Sequence, residues 1–454
     1  IEGQTVSYTA TGTDTKATVL KALENAFNAN ANITGSYIIN DSEKLYIETN
    51  DGAGTLALNN ITSVTKSFID IADYSSNPYN GIKVDLSKTV EQVYDNGNGG
   101  KDTLIGIEQI KGSNYADTFI GSMSNDTIYG GLGNDTFKGL GGNDTFYGEA
   151  GDDLFISSYD DRNNTYYGGT TDEINGDTVD YSGITDSQYK VIGDLSSSTI
   201  SVYNSLGDLQ KTDTIYDIEN LTGGSGDDTL TGNGSKNTIK GGDGNDTIYV
   251  TAGGDRLFGE GGNDTFIFQS GVDGVGTVID GGTASQTTGD TINYSALTNK
   301  VSLRLMGSSY SSVTLGVESN HHSIRNIDNV IGSQADDTIE GDLGNNTLDG
   351  NSGNDTISFQ NSGAKVVVNI GDSDITISNA PTGNGTYTAN QATGTTIGTD
   401  KIINFENILS GSGDDTLIGS SGLNSIYSGL GNDFIYGGAG DDKLYGEEGN
   451  DTIV

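Results

Sequence analysis

The chain repeats a nine-residue pattern in which an acidic and an apolar side chain keep a fixed spacing. Residues 130–148, GGLGNDTFKGLGGNDTFYG, contain two consecutive copies. Four separate blocks of such copies occur along the sequence, and the residue two positions after each repeated acid or amide is apolar in every copy. A disordered, glycine-rich linker has no physical reason to keep that spacing. The pattern therefore predicts a folded solenoid in which each copy is one structural unit.

The repeated position holds Asp in fifteen copies and Asn in three. It comprises Asp117, Asp126, Asp135, Asp144 and Asp153 in the first block; Asp228, Asn237, Asp246, Asp255 and Asp264 in the second; Asp337, Asn346 and Asp355 in the third; and Asp415, Asn424, Asp433, Asp442 and Asp451 in the fourth.

The unit reads G-G-x-G-x-D-x-U-x, where U is apolar. Three residues around U are enough for a short strand with U pointing inward, and the other six must reverse the chain with the help of glycine. Burying one large side chain contributes roughly 1.5–3 kcal/mol, whereas ordering nine backbone residues costs on the order of 9–18 kcal/mol. A further source of stability is needed. Stacked carboxylates that face glycine-loop carbonyls form an all-oxygen site suited to calcium.

The repeat resembles that of the RTX family, which builds a calcium-bound parallel β-roll. The clean copies GGLGNDTFK (130–138), GGDGNDTIY (241–249) and GGAGDDKLY (437–445) carry the resemblance, whereas GSMSNDTIY (121–129) and VTAGGDRLF (250–258) lack one or more glycines. The resemblance implies that each nonapeptide is half a solenoid turn, so that loops eighteen residues apart stack and hold calcium between them.

On this chain the resemblance implies roughly ten calcium sites, with weaker binding where Asn237 or Asn424 replaces a carboxylate. The implied ligand pairs are Asp117 with Asp135, Asp126 with Asp144, Asp135 with Asp153, Asp228 with Asp246, Asn237 with Asp255, Asp246 with Asp264, Asp337 with Asp355, Asp415 with Asp433, Asn424 with Asp442, and Asp433 with Asp451.

A longer repeat surrounds the short one. Nine residues before the first Asp of each block stands another acid, in the phrases IEQI, IENL, IDNV and FENI, and we expect this leading turn to extend each roll by one step. The leading acid either caps the roll or joins a calcium site, and we favour the cap. These acids are Glu108, Glu219, Asp328 and Glu406.

The spacers before the blocks are expected to continue the β-structure as wider turns. Three of them open with DYSS, DYSG and NYSA, and alternating runs such as KVSLRL (300–305) and AKVVVNI (364–370) are typical of strands. His322 lies six residues before Asp328, at a place where the other copies have Asp102, Asp213 and Asp400. We interpret it as a drifted repeat position rather than as a ligand of a transition metal.

The first 70 residues differ from the rest. Residues 14–29, DTKATVLKALENAFNA, predict a helix, with strands at TVSYTA, GSYIIN, KLYIET and TLALNN around it. We therefore predict an all-β fold of tandem calcium-bound parallel β-rolls, a β-solenoid with β-rich spacers, preceded by a small α+β module that we take to be truncated. The predicted boundaries are 1–70 for the module and, for each spacer with its roll, 71–178, 179–291, 292–356 (a short roll) and 357–454.

Composition limits the classes of function. The 63 acidic and 21 basic residues give a net charge of −42, which argues against nucleic acid as a partner and for cations. Cysteine is absent, which excludes disulfides and cysteine-based zinc sites, and no apolar run predicts a membrane span. The sequence contains no G-x-S-x-G, H-E-x-x-H or phosphate-loop motif. We expect no enzymatic activity.

Two classes of function remain. The first is a calcium-stiffened structural protein of a bacterial surface layer, adhesin or extracellular matrix, for which self-association into a lattice or fibre is a candidate property. The second is the non-catalytic carrier region of a secreted RTX enzyme or toxin. The four regularly spaced rolls favour the first. Both place the mature protein outside a bacterial cell, and the resemblance implies export through a one-step secretion channel. We read the chain as an internal piece of something longer.

Overall fold

The computed structural model describes two strands at 35–39 and 45–49 and residues 70–105, 107–159, 161–284, 288–316, 321–377 and 385–454. The chain divides into two compact units, residues 1–71 with 106–108, and residues 72–105 with 109–454. In the first unit, strands Gly35–Ile39 and Leu45–Thr49 pair antiparallel, as GSYIIN and KLYIET predicted. The helix predicted at 14–29 and the strands at 5–10 and 55–60 lie outside the described residues. No helix in the described ranges is long and apolar enough to cross a membrane.

Two long sheets account for most of the second unit. The strands of sheet 1 are Ile71–Asp73, Gln109–Lys111, Thr127–Leu132, Thr145–Ala150, Thr165–Thr171, Tyr189–Asp194, Thr199–Asn204, Leu209–Tyr216, Thr229–Thr231, Thr247–Val250, Thr265–Phe268, Thr291–Asn293, Asn329–Ile331, Thr347–Asp349, Val366–Asn369, Gln391–Gly394, Gly398–Ile403, Thr416–Ile418, Phe434–Tyr436 and Thr452–Ile453.

The strands of sheet 2 are Lys83–Asp85, Val93–Asp95, Thr118–Ile120, Thr136–Lys138, Leu154–Ile156, Thr178–Asp180, Asn220–Thr222, Thr238–Asp243, Arg256–Gly261, Val278–Ala284, Val301–Arg304, Ser311–Leu315, His321–Arg325, Thr338–Glu340, Thr356–Ser358, Asn407–Leu409, Ser425–Tyr427 and Lys443–Tyr445. A separate two-stranded sheet joins Ile375–Ile377 to Gly385–Tyr387.

Within each roll, successive nonapeptides alternate between the two sheets. In sheet 2, Thr118–Ile120 pairs parallel with Thr136–Lys138, which pairs parallel with Leu154–Ile156. In sheet 1, Thr127–Leu132 pairs parallel with Thr145–Ala150. Each strand thus meets the strand eighteen residues further along, which confirms the β-solenoid prediction.

The apolar residues of the repeat form the core between the sheets. All of them are buried except Leu444 and Ile453 in the last two turns. Phe119, Phe137 and Phe155 stack in a column, with ring centroids 5.2 and 5.0 Å apart. Their neighbours in each short strand are half-buried. Each nonapeptide therefore contributes about one fully buried side chain, as the alternation along its strand predicts.

The three spacers between the blocks continue the β-structure, as predicted, but they contain antiparallel meanders that the sequence did not predict. In the spacer before the second block, the strands Tyr189–Asp194, Thr199–Asn204 and Leu209–Tyr216 pair antiparallel within sheet 1 and form the first meander. The last of these strands pairs parallel with the preceding roll at Thr165–Thr171, and the first pairs parallel with the following roll at Thr229–Thr231. The strands of the meander thus pair antiparallel with one another, whereas its first and last strands pair parallel with the two adjoining rolls.

The next two spacers repeat this arrangement, at 301–325 in sheet 2 and at 366–403 in sheet 1. A meander places its first strand beside the following roll and its last strand beside the preceding one. The spacers are β-rich, as predicted, and KVSLRL and AKVVVNI form their first strands. The boundaries drawn between the rolls stay a prediction.

Candidate metal sites

The repeated carboxylates and amides stack in ladders. In each of the ten predicted pairs, the backbone N–H of the first residue donates to the side-chain Oδ1 of the residue eighteen positions later, at 2.7–3.0 Å. All seventeen predicted ligands take part in these contacts, and all except Asp126, Asp442 and Asp451 are buried. The structure therefore brings together every pair that the spacing implied.

The first glycine of a turn leaves room for the second oxygen of the same carboxylate. A Cβ at Gly130 would lie 2.1 Å from Asp135 Oδ2 and 2.8 Å from the backbone oxygen of Gly148. Gly241 has the same surroundings, with Asp246 Oδ2 at 2.1 Å and the backbone oxygen of Gly259 at 2.7 Å. One carboxylate oxygen and one carbonyl oxygen from the next turn thus face the same space, which any side chain would fill.

Many of these second oxygens have no hydrogen-bond partner within the chain. The buried, unpartnered Oδ2 atoms in the described part of the chain are those of Asp135, Asp144, Asp153, Asp177, Asp246, Asp264, Asp355, Asp400 and Asp433. Burying a carboxylate without compensation is costly. Burial, with neighbouring carboxylates adding to it, raises the pKa of Asp135 and of Asp246 to about 9 and that of Asp177 to about 8.

This donor set fits calcium. The polar atoms nearest to Gly130, Gly148, Gly241 and Gly259 are carboxylate and carbonyl oxygens, and calcium accepts six to eight such ligands in irregular geometry. A bound divalent cation would also offset the burial and the charge repulsion that raise these pKa values. The ion would compensate the buried carboxylate oxygens that have no hydrogen-bond partner within the chain. That the seventeen predicted residues hold it stays a prediction.

Some turns satisfy the second oxygen with a protein donor instead. The Thr251 hydroxyl donates to Asp255 Oδ2 at 2.8 Å, in a copy that lacks the first glycine. The Ser410 hydroxyl donates to Asp415 Oδ2 at 2.5 Å. At Asp117 the backbone N–H of Ser113 has the same role, at 2.6 Å. These carboxylates depend less on a metal ion for compensation than those with a free Oδ2.

Two of the repeat asparagines, Asn237 and Asn424, contact the turn of the leading acid. Asn237 and Asn424 each follow a leading acid by eighteen residues, and their Nδ2 groups donate to the backbone oxygens of Glu219 and Glu406, at 2.8 Å in both cases. An aspartate has no donor for this contact. The amide therefore makes a direct hydrogen bond where a carboxylate would need a cation, which agrees with the weaker binding expected at these positions.

Three leading acids end a carboxylate ladder. Glu219, Asp328 and Glu406 each accept the backbone N–H of the last acid of the preceding stack, at 2.8–2.9 Å. These last acids are Asp177, Asp290 and Asp355. The fourth leading acid, Glu108, accepts the N–H of Asp70 at 3.0 Å.

Each new ladder begins on a spacer strand. The backbone N–H groups of Ile82, Val191, Val301 and Val366 donate to the Oδ1 atoms of Asp117, Asp228, Asp337 and Asp415, respectively, at 2.6–2.8 Å.

Five residues were not predicted as members of the ladders, because insertions change their spacing. They stand 20 to 54 residues after their partners and make the same contact, at 2.7–2.9 Å. The pairs are Asp144 with Asn164, Asp153 with Asp177, Asn164 with Asp213, Asp264 with Asp290, and Asn346 with Asp400. A Gly-Gly pair nine residues before Asp177 and before Asp290 was the available signal.

At one of these positions the chain supplies its own cation. Lys211 and Asp213 are both buried, and the Lys211 ammonium lies 3.1 Å from Asp213 Oδ2. The same oxygen accepts hydrogen bonds from the hydroxyls of Ser157 at 3.1 Å and Tyr181 at 2.7 Å. Burial, with the proximity of Asp213 adding to it, raises the pKa of Tyr181 well above its usual value. In the first meander the buried Asp213 carboxylate is thus compensated by a lysine and two hydroxyl groups.

The spacer tyrosines share a contact that explains His322. Tyr74 donates to Asp102 at 3.0 Å as Tyr181 does to Asp213, and the Tyr294 hydroxyl lies 2.7 Å from His322 Nε2. His322 is buried, and burial lowers its pKa to about 3. It therefore occupies the repeat position that the sequence assigned to it, as a neutral side chain.

The comparisons with known proteins agree with this geometry. The family model of the RTX calcium-binding nonapeptide repeat matches residues 103–137, 131–157, 214–248, 240–275, 326–357, 409–444 and 418–453. These matches fall on all four blocks. A search of curated proteins found no match to the chain.

Proposed function

Because this chain is a calcium-binding protein of the RTX type, we propose that it is an extracellular structural protein, stiffened by calcium, of a bacterial surface layer, adhesin or matrix. The observation that carries the proposal is the recurrence of unpartnered, buried carboxylates in rolls that the meanders link by parallel pairing. Calcium would consolidate such an array along its length. The chain's role in this proposal is mechanical and not catalytic.

The alternative is the carrier region of a secreted enzyme or toxin. It uses the same calcium chemistry but requires a catalytic domain elsewhere in the reading frame. The regular alternation of rolls and meanders favours the structural role, because repeated, similar modules suit a long support. The complete reading frame separates the two proposals: a catalytic domain upstream of these residues would favour the carrier, and further surface-type modules would favour the structural protein.

The proposed location follows from charge and affinity. Extracellular calcium modules bind with dissociation constants around 10⁻⁴–10⁻³ M, which suits the outside of a cell. A metal-free chain with a net charge of −42 repels itself and stays extended, a state compatible with export before folding. Self-association into a lattice would add contacts between chains once calcium has lowered that charge.

Surface proteolysis tests the location. Intact producing cells are treated with protease in calcium buffer and in chelator. We expect the protein to be cleaved on intact cells in chelator and to be more resistant in calcium. A protein that remains protected in both buffers and fractionates with the cytosol would contradict the proposal.

A further inference from the structure

The junction between the first and second blocks carries an acidic loop that the nonapeptide pattern does not account for. Residues 168–177, GGTTDEINGD, lead to Asp177 through a loop longer than a nonapeptide. Glu173 and Asp177 lie on this loop, and Glu219 follows the meander. One carboxylate oxygen from each of the three lies within 4.8 Å of the others.

Two of these carboxylates have buried oxygens without a partner. Asp177 is fully buried, and its Oδ2 makes no hydrogen bond, while its Oδ1 accepts the N–H of Asp153 at 2.7 Å. Glu173 Oε1 is also buried and unpartnered. Glu219 Oε2 accepts the N–H of Asp177 at 2.9 Å. No lysine or arginine in the described ranges forms an ion pair with any of the three.

The backbone around the cluster leaves space and adds a neutral oxygen. A Cβ at Gly168 would lie 2.1 Å from Asp177 Oδ2 and 2.1 Å from the backbone oxygen of Asp217. A Cβ at Gly176 would lie 2.6–2.8 Å from the side chain of Glu219. The three carboxylates thus lie close together, and the Asp217 carbonyl oxygen faces the space beside Asp177 Oδ2 that Gly168 leaves open. These atoms are an all-oxygen donor set suited to a hard divalent cation.

We propose that Glu173, Asp177 and Glu219, with the backbone oxygen of Asp217, bind a calcium ion that clasps the base of the first meander. Glu173 and Asp177 precede the meander strands and Glu219 follows them, so a shared ion joins two segments more than 40 residues apart in the chain. The inference rests on the calcium-binding character of the chain and extends it to a loop outside the matched repeats.

The second junction provides an internal comparison. Residues 281–290, GGTASQTTGD, have the same length and the same glycines, but Gln286 stands where the first junction has Glu173. The leading acid there is Asp328, which accepts the N–H of Asp290 at 2.9 Å. The second junction lacks the third carboxylate in sequence. Of the two junctions, only the first has a carboxylate at this position, Glu173. A test of the site should therefore remove the charge of Glu173.

Hydrogen exchange of the full chain during a calcium titration tests the proposal, because it follows each region separately. We expect Glu173→Gln to raise the calcium concentration that half-protects peptides covering residues 168–177 and 217–222 by about tenfold. Peptides of the fourth block should protect at the unchanged concentration. Glu219→Gln, which keeps an acceptor for the Asp177 N–H, should act in the same direction.

Asp172→Asn is the matched control. Asp172 is exposed and lies next to Glu173. The substitution removes the same charge from the same loop, so a general charge effect would shift the calcium midpoints of both variants alike. Equal midpoints for wild type and Glu173→Gln would overturn the proposal, as would equal shifts for Glu173→Gln and Asp172→Asn. Absence of calcium-dependent protection in every block would instead contradict calcium binding by the repeats themselves.

Discussion

The two carboxylate oxygens of a repeated aspartate have different environments. Asp135 Oδ1 accepts the N–H of Asp117 at 2.8 Å, which fixes the stacking of two turns. Its Oδ2 is buried without a partner beside Gly130, and burial raises the pKa of Asp135 to about 9. The first oxygen therefore stabilises the fold, and we expect the second to bind the ion. A substitution that separates the two roles should have opposite effects with and without calcium.

Asp135→Asn makes that separation, because the amide keeps an acceptor oxygen and removes the charge. We expect calcium binding in the first block to weaken by about tenfold, equivalent to ~1.4 kcal/mol. We expect the calcium-free fold to become more stable, because an amide is buried without either an uncompensated charge or the uptake of a proton on folding. Calcium titration and denaturant unfolding in chelator measure the two effects. Loss of stability in chelator would show that the carboxylate is compensated without an ion.

The first glycine of a turn offers a second residue-scale test. Gly130→Ala would place a Cβ 2.1 Å from Asp135 Oδ2, so we expect it to abolish calcium-dependent stabilisation of the first block. Gly234→Ala is the control, since a Cβ there meets no atom within 4 Å. Thermal unfolding with and without calcium compares the variants. Equal calcium-dependent stabilisation in both would remove the assigned role of the first glycine.

At the scale of the ladder, raised pKa values make calcium-free folding depend on pH. Burial raises the pKa of Asp264 to about 6 and that of Asp246 to about 9, so the folded state binds protons that the unfolded state releases. The resulting stability is fully present below the unfolded pKa of about 3.9, and it is lost as the pH rises through the folded values of about 6 to 9.

In chelator we therefore expect more β-structure at pH 5 than at pH 8, measured by circular dichroism. The calcium concentration needed for folding should fall as the pH rises, because fewer protons compete for the carboxylates. High salt at pH 8 is the control, because it screens exposed charges but buried ones much less. Equal β-content at both pH values, or recovery by salt alone, would contradict the account.

Inside the first meander, stability should depend on the buried Lys211–Asp213 ion pair. Lys211→Met leaves the buried Asp213 unpaired, and breaking a buried ion pair from one side costs about 3–5 kcal/mol. We expect lower thermal stability in saturating calcium, and recovery in the double variant K211M/D213N, which removes both charges. A single variant as stable as the wild type would show that the pair contributes nothing.

The sequence predicted the regular ladders and the core, because the nine-residue spacing indicates which acids stack and which apolar side chains are buried. It failed where the chain leaves that spacing. Asn164 and Asp213 continue a ladder across insertions, which only the pairing of strands reveals. Asp152 lies one residue out of phase, yet its Oδ1 accepts the N–H groups of Ile174 and Gly176 at 2.8 and 3.0 Å and holds the junction loop. Local patterns carry no information about such long-range contacts.

At the scale of the whole molecule, both the composition and the geometry of the sites indicate that folding depends on calcium. A net charge of −42 disfavours compaction, and the ladders concentrate part of that charge inside the protein. The apolar core supplies about one large side chain per turn, which is modest beside the entropy of ordering the chain. Calcium binding would therefore contribute folding free energy directly, since its sites do not exist in the unfolded chain.

Circular dichroism of the full chain during a calcium titration measures this dependence most directly. We predict a largely disordered spectrum in chelator at neutral pH, a cooperative gain of β-signal up to millimolar calcium, and reversal when chelator is added back. Magnesium at the same concentrations should produce little change, because it tolerates such irregular oxygen sites less well. A chain with the same β-signal in chelator and in calcium would contradict the claim that metal ions complete the fold.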